Sequence, residues 1–291
     1  MDFFKKTFYA YQFGDMKLLE KIIDKVIELL KAYTFLERSD AEYDDFVSAN
    51  VSVEDTLKAT PLGEKVSELY LDPYTAHHIL EAFEQTKQKR VKDINIGLLQ
   101  ALSDTIEMEP LLPVRSADVE SLHTVLSSFE DSLLVPVPSE YDFSFDDFLR
   151  TIKTALFFKA WIDETDEELL LERFSIRPGE TRAKLENIDW LIRCSLELAR
   201  FNHERELISV LVKLQKRLNY GVKEELLPLL RLKGIGRVRA RKLFDAGYTS
   251  LSDLKPESQK KITDLIGEKL TQNIFDQLGH SMKSNDLTDF I

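Results

Sequence analysis

The positions of apolar residues along the chain predict a mainly helical protein. From Met16 to Leu30, apolar side chains recur every three or four residues, which is the spacing of one helix face. Asp142–Trp161 and Gly179–Phe201 repeat this spacing most clearly, and prolines, glycines and acidic runs separate the helical stretches. No strand-like alternation stands out between residues 73 and 220, so we predict an all-helical bundle there. 

The first 72 residues combine helices with two short strands. Tyr33-Thr-Phe-Leu36 has β character, an acidic stretch of little periodicity follows, and Leu57-Lys-Ala59 fits a returning strand. Pro61 suits the first position of the next helix. Helix, strand, loop, strand, helix is the order of a winged-helix module, whose wing would span residues 34–60. Because this wing is acidic, we predict a packing platform rather than a DNA contact.

A glycine-containing pattern in the last quarter of the chain carries the strongest functional signal. Residues 229–244 read Leu-Leu-Arg-Leu-Lys-Gly-Ile-Gly-Arg-Val-Arg-Ala-Arg-Lys-Leu-Phe, which predicts a helix-hairpin-helix. Gly234 and Gly236 permit a tight turn and leave the backbone bare. We expect Ile235 to point into the core and Ala240 to let the two helices pack closely. A weaker copy with one glycine, Gly267, follows at the same apolar spacing, and its few basic residues predict a structural role.

The predicted turn suits the binding of phosphate. The first amides of a helix have no helical partner and lie at the positive end of its dipole, which favours anions. We expect mobile cations around them: Lys233, Arg237, Arg239, Arg241 and Lys242. Such contacts go to the nucleic-acid backbone and position a protein without reading base sequence. A hairpin used only for domain packing is the alternative.

The distribution of charge singles out the same region. The whole chain has a net charge of −12, but residues 221–291 hold 12 Lys and Arg against 10 Asp and Glu, a net of +2. The segment from Arg231 to Lys242 contains six basic residues and no acidic one. Because screening limits each charge to about 8–10 Å, a local basic stripe on an acidic protein still binds phosphate. A solvated helix face is the alternative interpretation.

Composition excludes several other classes of protein. Cys194 is the only cysteine, so an internal disulfide is impossible and we expect a reducing, cytoplasmic setting. Binding to DNA would associate the protein with the nucleoid. No apolar run approaches the ~20 residues that span a bilayer, and no signal peptide follows Met1. The five histidines lack metal-ligand spacing, so we predict no metal site. The acidic run Asp163–Glu168 fits a solvated helix start, not a catalytic pair.

Two further features are candidates for binding. Trp190 lies on a predicted helix with Arg182 two turns upstream, and a Trp that faces a channel stacks on bases at ~1–3 kcal/mol each. Packing in the core is the alternative for Trp190. At the C-terminus, three spaced apolar residues resemble the plug that archaeal proteins insert into a sliding clamp: Leu287, Phe290 and Ile291. Ser284 stands where such plugs carry Gln, and a frayed terminus is the alternative.

Together these patterns resemble the C-terminal domains of archaeal superfamily-two DNA helicases of the Hjm type. The resemblance is dense over residues 221–244. It is sparser upstream, where the matching segments are Thr60-Pro-Leu-Gly63, Tyr70-Leu-Asp-Pro73, Tyr141-Asp-Phe, Lys153-Thr-Ala-Leu156, Trp161-Ile-Asp and Ile188-Asp-Trp-Leu191. The resemblance implies three modules: a winged-helix-like domain (residues 1–72, truncated), a helical ratchet bundle (73–220) and a helix-hairpin-helix domain (221–291).

The resemblance also implies a function. The family uses ATP to unwind forked or branched DNA in the 3′-to-5′ direction at stalled replication forks, with two motor domains that precede the region seen here. Trp190 matches a ratchet-helix Trp that stacks on the translocating strand, and the ratchet Arg corresponds to Arg182 or is displaced, since Ala183 falls near its place. This chain has no G-x-x-x-x-G-K-[ST] phosphate loop. We therefore expect a non-motor fragment that holds no cofactor, with ATP and Mg²⁺ bound by the absent motor domains.

The expected partners are single-stranded or forked DNA, with the sliding clamp or a single-strand-binding protein as further candidates and no membrane. Two alternatives stay open at the level of sequence. In the first alternative, the chain is the accessory region of an RNA helicase. In the second, it is an interaction scaffold that docks the clamp through residues 284–291.

Overall fold

The structure is a computed structural model that describes residues 6, 7, 12, 15–38, 57–88 and 91–281. Within these residues it contains twelve α-helices, several short 3-10 helices and one two-stranded sheet. The prediction of a mainly helical fold is confirmed. No helix in the described part of the chain is long and apolar enough to cross a membrane.

The N-terminal module is built from two helices and a two-stranded sheet. Helix α1 spans Met16–Ala32, and its N-cap Asp15 accepts hydrogen bonds from two amides of the first turn. Strands β1 (Leu36–Arg38) and β2 (Leu57–Ala59) pair antiparallel. Helix α2 spans Pro61–Glu68 with Pro at its first turn, as predicted. Most of the predicted wing, residues 39–56, lies outside the described residues.

Strand β1 begins three residues later than the sequence pattern predicted. The reason is a turn at the end of α1, where Thr34 adopts a left-handed backbone with φ of 62°. Its neighbour Phe35 donates its amide to Leu30 O and accepts a hydrogen bond from the Thr60 amide. The predicted strand residues 33–35 are therefore used to close the helix, and the ladder starts at Leu36.

The middle of the chain is a bundle of seven helices. These are α3 (Pro73–Gln88), α4 (Ile94–Ser103), α5 (Ser116–Phe129), α6 (Phe145–Ile162), α7 (Glu167–Phe174), α8 (Pro178–Phe201) and α9 (Arg205–Tyr220). Helix α6 is central, because it packs against α4, α5, α7 and α9 and buries residues around most of its circumference. The long helices predicted for the bundle are present, with ends shifted by one to three residues.

The N-terminal module and the bundle share one hydrophobic core. Phe35, Val66 and Leu71 belong to the same buried cluster as Phe157 and Leu191 of the bundle. Burying apolar side chains across a boundary couples the two modules, because separating them would expose that surface to water. The described part of the N-terminal module is thus packed on the bundle, and the platform role of the wing stays a prediction.

The last module has a core of its own. It comprises two short 3-10 helices, Glu224–Leu226 and Leu229–Arg231, followed by α10 (Arg237–Asp245), α11 (Gln259–Ile266) and α12 (Glu268–Ser281). The helix predicted before the first hairpin is thus split into 3-10 turns. Pro228 lies between them, and because it has no amide hydrogen it cannot donate to an α-helical ladder.

A single glycine joins this module to the bundle. Gly221 follows the last residue of α9 and has φ of 64°, the left-handed conformation that ends many helices. A Cβ atom at this position would lie 2.8 Å from Cε2 of Trp161. Both the backbone angle and the contact with the indole ring therefore require glycine here.

Candidate nucleic-acid interface

The first hairpin turns at residues 232–236 with the geometry that the glycines predict. Gly234 has φ of 89°, and a Cβ there would lie 2.7 Å from Cδ1 of Leu270 in the second hairpin. Ile235 is 3% exposed and belongs to the core of the module, as does Ala240. Gly236 caps α10 in an extended conformation, and a Cβ at this position would meet no atom within 4 Å. The turn is therefore packed against the second hairpin at Gly234 and open to solvent at Gly236, the side that we call its front.

A glutamine from the last helix braces this turn. The amide nitrogen of Lys233 donates to Oε1 of Gln277 at 2.9 Å, and Nε2 of Gln277 donates to the Lys233 carbonyl at 3.3 Å. Satisfying both backbone groups with one side chain fixes the turn without using the amides at the start of α10. Nothing local in the sequence marks Gln277, because the residue it contacts lies 44 positions away.

Three cations lie on the solvent side of the hairpin, and we call them the outer cations: Lys233, Arg239 and Lys242. All three side chains are exposed. Nη1 of Arg239 donates to the Gly234 carbonyl at 2.9 Å, which holds its guanidinium beside the turn. Among the described residues, Lys233 and Lys242 have no ion-pair partner. The outer cations are thus available to an anion.

Two clefts flank Arg239 in front of the hairpins. One of about 520 Å³ is lined by Lys233, Gly234, Gly267 and Lys269, together with the acidic Glu268, Asn273 and the apolar Ile266 and Leu270. The other, of about 470 Å³, is lined by residues that include Gly236 and Lys242. Arg239 borders both clefts, so it forms the ridge between them. The second hairpin, predicted to be structural, contributes Gly267 and Lys269 to the wall of the first cleft.

The other two arginines of α10 face the bundle, and we call them the inner arginines: Arg237 and Arg241. Nη2 of Arg237 donates to the Thr165 carbonyl at 3.0 Å. Arg241 donates to both carboxylate oxygens of Glu164, each at 2.8 Å. It also reaches Glu225 at 2.7 Å. The expectation that these arginines are mobile cations around a phosphate is corrected in this respect, because both guanidinium groups are held by protein acceptors.

Glu164 is the residue on the bundle that receives Arg241. Its side chain is only 12% exposed, and its carboxylate also accepts the Lys223 amide at 2.9 Å. Burial by itself would raise the pKa of this carboxyl, but the hydrogen bonds from Arg241 and from the Lys223 amide outweigh it and lower the pKa. The interpretation of residues 163–168 as a solvated helix start is therefore corrected at Glu164, which is an ionised interdomain contact.

The two candidate residues of the predicted ratchet helix lie on α8. Arg182 is 82% exposed and pairs with Glu186 at 2.9 Å on the same helix. Trp190 is half-buried and packs on the bundle core. Arg193, one turn beyond Trp190, is also exposed and pairs with Asp189. In the part of the chain that the structure describes, no hydrogen bond or ion pair links Arg182 or Trp190 to the hairpin, so base stacking by Trp190 stays a prediction.

The other candidate sites add no chemistry to the interface. In the described ranges, no group of three His, Cys, Asp or Glu side chains is placed to hold a metal ion. His77 stacks on Tyr33 with ring centroids 3.8 Å apart, and His78 lies 3.7 Å from the carboxylate of Asp104. The proposed clamp residues Leu287, Phe290 and Ile291 lie outside the described residues.

Comparison with known protein families divides the chain where the structure does. The model described as "Archaeal helicase, domain 4" matches residues 96–221, within the bundle. The model described as "SAM-like Helix-hairpin-helix tandem" matches residues 226–279, which include both hairpins. The bundle and the last module thus each resemble a known type of domain.

Comparison with individual proteins finds similarity over nearly the whole chain. ATP-dependent DNA helicase Hel308 of Pyrococcus horikoshii is 34% identical over 286 residues, covering 97% of this chain and 37% of the relative. The protein of the same name from Methanococcus vannielii is 32% identical over 321 residues, covering 100% and 41%. That from Methanocaldococcus jannaschii is 35% identical over 277 residues, covering 95% and 20%. The chain thus spans well under half the length of these relatives.

Proposed function

Because this chain belongs with the archaeal superfamily-two DNA helicases, we propose that it forms the DNA-binding, non-motor region of such an enzyme. It would bind the sugar-phosphate backbone of single-stranded or forked DNA. The observation that carries the proposal is the exposed turn of the first hairpin, where the outer cations surround Gly236 and a Cβ on this residue would meet no atom within 4 Å. Cations and unpaired helix amides together attract phosphate without reading bases.

The ratchet helix α8 would supply the second contact. Trp190 would stack on a base of the same strand, and the nearby exposed arginines Arg182 and Arg193 would attract its phosphates. A stacking ring and a backbone clamp complement each other, because neither depends on base sequence. Such a combination suits a protein that moves along DNA.

The ATP-hydrolysing motor of the enzyme would lie in other domains. We propose that the chain alone does not hydrolyse ATP, and that ATP and Mg²⁺ are bound by motor domains of the whole protein. The replication-fork repair role and docking of residues 284–291 on a sliding clamp belong to the same proposal. Deletion of residues 284–291, followed by a clamp-binding measurement, tests the last point.

Fluorescence anisotropy tests DNA binding directly. The 291-residue chain is titrated into labelled single strand, fork and blunt duplex of equal length, between 50 and 200 mM salt. We expect the single strand and the fork to bind more tightly than the duplex. The logarithm of the binding constant should fall linearly with the logarithm of salt concentration, since phosphate contacts release counterions. A flat salt dependence contradicts the phosphate clamp.

Competition with RNA separates the proposal from the RNA-helicase alternative. An unlabelled RNA strand of matched sequence and length is added to the complex with labelled DNA. Weaker displacement by RNA than by DNA is the expected result. Equal or stronger displacement by RNA would favour the accessory region of an RNA helicase.

A further inference from the structure

The basic residues of α10 lie on two different faces of the helix. Arg237 and Arg241 are four residues apart and share the face that contacts the bundle. Val238, Arg239 and Lys242 are rotated away from the centre of that face by roughly 80°, 180° and 120° at 3.6 residues per turn. They are exposed, and even the apolar Val238 is 66% exposed. One short helix thus meets the bundle on one side and solvent on the other.

The inner arginines are held in a way that a surface ion pair is not. Two parallel bonds from Arg241 to one carboxylate fix both distance and angle between the groups. Glu225 and Asp245 take further N–H groups of the same guanidinium, at 2.7 Å and 3.4 Å. Because the side chain of Glu164 is nearly buried, its bonds with Arg241 are stronger than they would be in water, whereas Glu225 and Asp245 lie on the more exposed side of the guanidinium.

Glu164 is itself fixed before it meets Arg241. It follows the end of α6 and has a left-handed backbone with φ of 68°. Its amide donates to the Trp161 carbonyl, and its carboxylate accepts the Lys223 amide from the linker between the domains. Backbone strain of this kind persists where surrounding contacts determine the conformation. The position of the Glu164 carboxylate is therefore set by the bundle and the linker.

A phosphate that took Arg241 would have to break this arrangement. It would leave a nearly buried carboxylate without its cation, and the phosphate would approach that carboxylate against charge repulsion. The outer cations carry no such cost. Of these, Lys233 and Lys242 have no ion-pair partner among the described residues, and Arg239 uses one donor on a backbone carbonyl.

We propose that the hairpin divides its basic residues by task. The outer cations contact the phosphates of DNA, and the inner arginines set the orientation of the hairpin domain on the bundle, with Glu164 as the positioning residue. This inference rests on the proposed function and deepens it. The orientation of α10 on the bundle would then set the path of the bound strand, because it decides where the strand leaves the bundle.

Two measurements on the 291-residue chain separate these roles. The first is the slope of log binding constant against log salt for single-stranded DNA, to which each lost phosphate contact contributes about 0.7. The second is the width of the distance distribution between two spin labels, measured by pulsed electron paramagnetic resonance. The labels are attached to cysteines introduced at Glu172 on α7 and at Asp264 on α11. Cys194 is buried, so we expect it to react slowly with the label.

We expect Arg239→Ala to lower the salt slope by roughly 0.7 and to leave the width of the distance distribution unchanged. Glu164→Gln should broaden the distribution and leave the slope unchanged. Arg241→Lys keeps the charge but loses the two-pronged bond, so it should broaden the distribution as well. Glu168→Gln is the matched control, because this substitution removes the same charge from an exposed residue of the adjoining helix.

Two results would overturn the division of tasks. One is a loss of slope in Arg241→Ala equal to that in Arg239→Ala, with an unchanged distance distribution. The other is a Glu164→Gln distribution as narrow as that of the unsubstituted chain. A chain that bound no DNA would defeat the proposed function instead, and the width of the distribution would then decide the orienting role of Glu164 by itself.

Discussion

The guanidinium of Arg237 lies over the indole ring of Trp161, with Cζ 5.5 Å from the ring centroid. This cation–π contact joins the hairpin domain to the end of α6. The indole nitrogen of Trp161 donates to the Leu218 carbonyl at 2.7 Å, near the end of α9. One aromatic ring of α6 therefore joins this helix to α9 and α10, and these three elements must keep a fixed geometry if the hairpin is to face the same way in every molecule.

The glycine beneath that ring should be intolerant of a side chain. Gly221→Ala places a methyl group 2.8 Å from the indole and forces alanine into a left-handed conformation. We expect the free energy of unfolding in urea to fall by about 2 kcal/mol. Gly179→Ala is the control, because no atom lies within 4 Å of its Cβ position and the backbone is helical. Its stability should stay equal or rise by less than about 1 kcal/mol. Equal losses in both variants would contradict the role of the indole contact.

The outer cations should control DNA affinity together. Arg239→Ala with Lys242→Ala removes two phosphate contacts, so we expect the salt slope for single-stranded DNA to fall by about 1.4. The loss of affinity should be similar for strands of different sequence, because backbone contacts do not read bases. Arg150→Ala is the control, since Arg150 is exposed on α6 and pairs only with Asp147 among the described residues. Loss of binding to one base sequence alone would indicate base readout instead.

Local residue patterns predicted the turn and the helix after it, because both depend on nearby residues, but they predicted neither the 3-10 turns before the hairpin nor the brace from Gln277. The turn depends on Gly234, Ile235 and Gly236, and the helix that follows depends on its own spacing of apolar residues. The same pattern did not predict that two of its arginines face inward. Their acceptors, Glu164 and Thr165, lie more than 70 residues earlier in the chain. Which face of a basic helix meets solvent is decided by tertiary packing, not by composition.

Sequence also misjudged residues whose importance arises only at a junction. The sequence pattern marks Trp161 only as part of a segment that resembles the helicase family, and Glu164 only as one acid in a predicted solvated helix start. In the structure they are adjacent contacts of the hairpin domain. The signal in the sequence was weak. It consisted of an acidic residue just after a long predicted helix and of the segment Arg231–Lys242, which has six basic residues and no acid of its own to balance them.

Fluorescence of Trp190 should report single-stranded DNA. The chain has two tryptophans, and Trp161→Phe leaves Trp190 as the sole indole while keeping an aromatic ring at the junction. If a base stacks on Trp190, emission from this variant should be quenched as single-stranded DNA is added, and Trp190→Ala should weaken binding by about 1–3 kcal/mol. Quenching that is absent at saturating DNA would assign Trp190 to the core alone. The Trp190→Phe variant controls for loss of packing, since it keeps a ring that can stack.

Cys194 should be inert until the bundle unfolds. Burial raises the pKa of its thiol to about 11, so the reactive thiolate is ~100-fold scarcer than in a thiol of the usual pKa, 9.0. Alkylation at pH 8 should therefore be at least ~100-fold slower in the native chain than in urea, as followed by mass spectrometry. Rapid alkylation without urea would show that α8 opens in solution. A surface cysteine introduced at Glu172 provides the positive control for reagent activity.

The contribution of Glu164 to stability should depend on pH in one direction. The pKa of its carboxyl is lowered in the folded chain from its usual value of 4.5, so the folded state favours the ionised form. The stabilisation is therefore fully present above about pH 4.5 and is lost as pH falls through the lower folded pKa. Glu164→Gln removes a charged acceptor of three hydrogen bonds, and we expect a loss of about 1–3 kcal/mol at pH 7. This difference from the unsubstituted chain, measured by urea unfolding, should be constant from pH 6 to 8 and should shrink below pH 4.5. Glu168→Gln should show no comparable difference at any pH, and a Glu164→Gln difference that grows in acid would contradict the ion pair with Arg241.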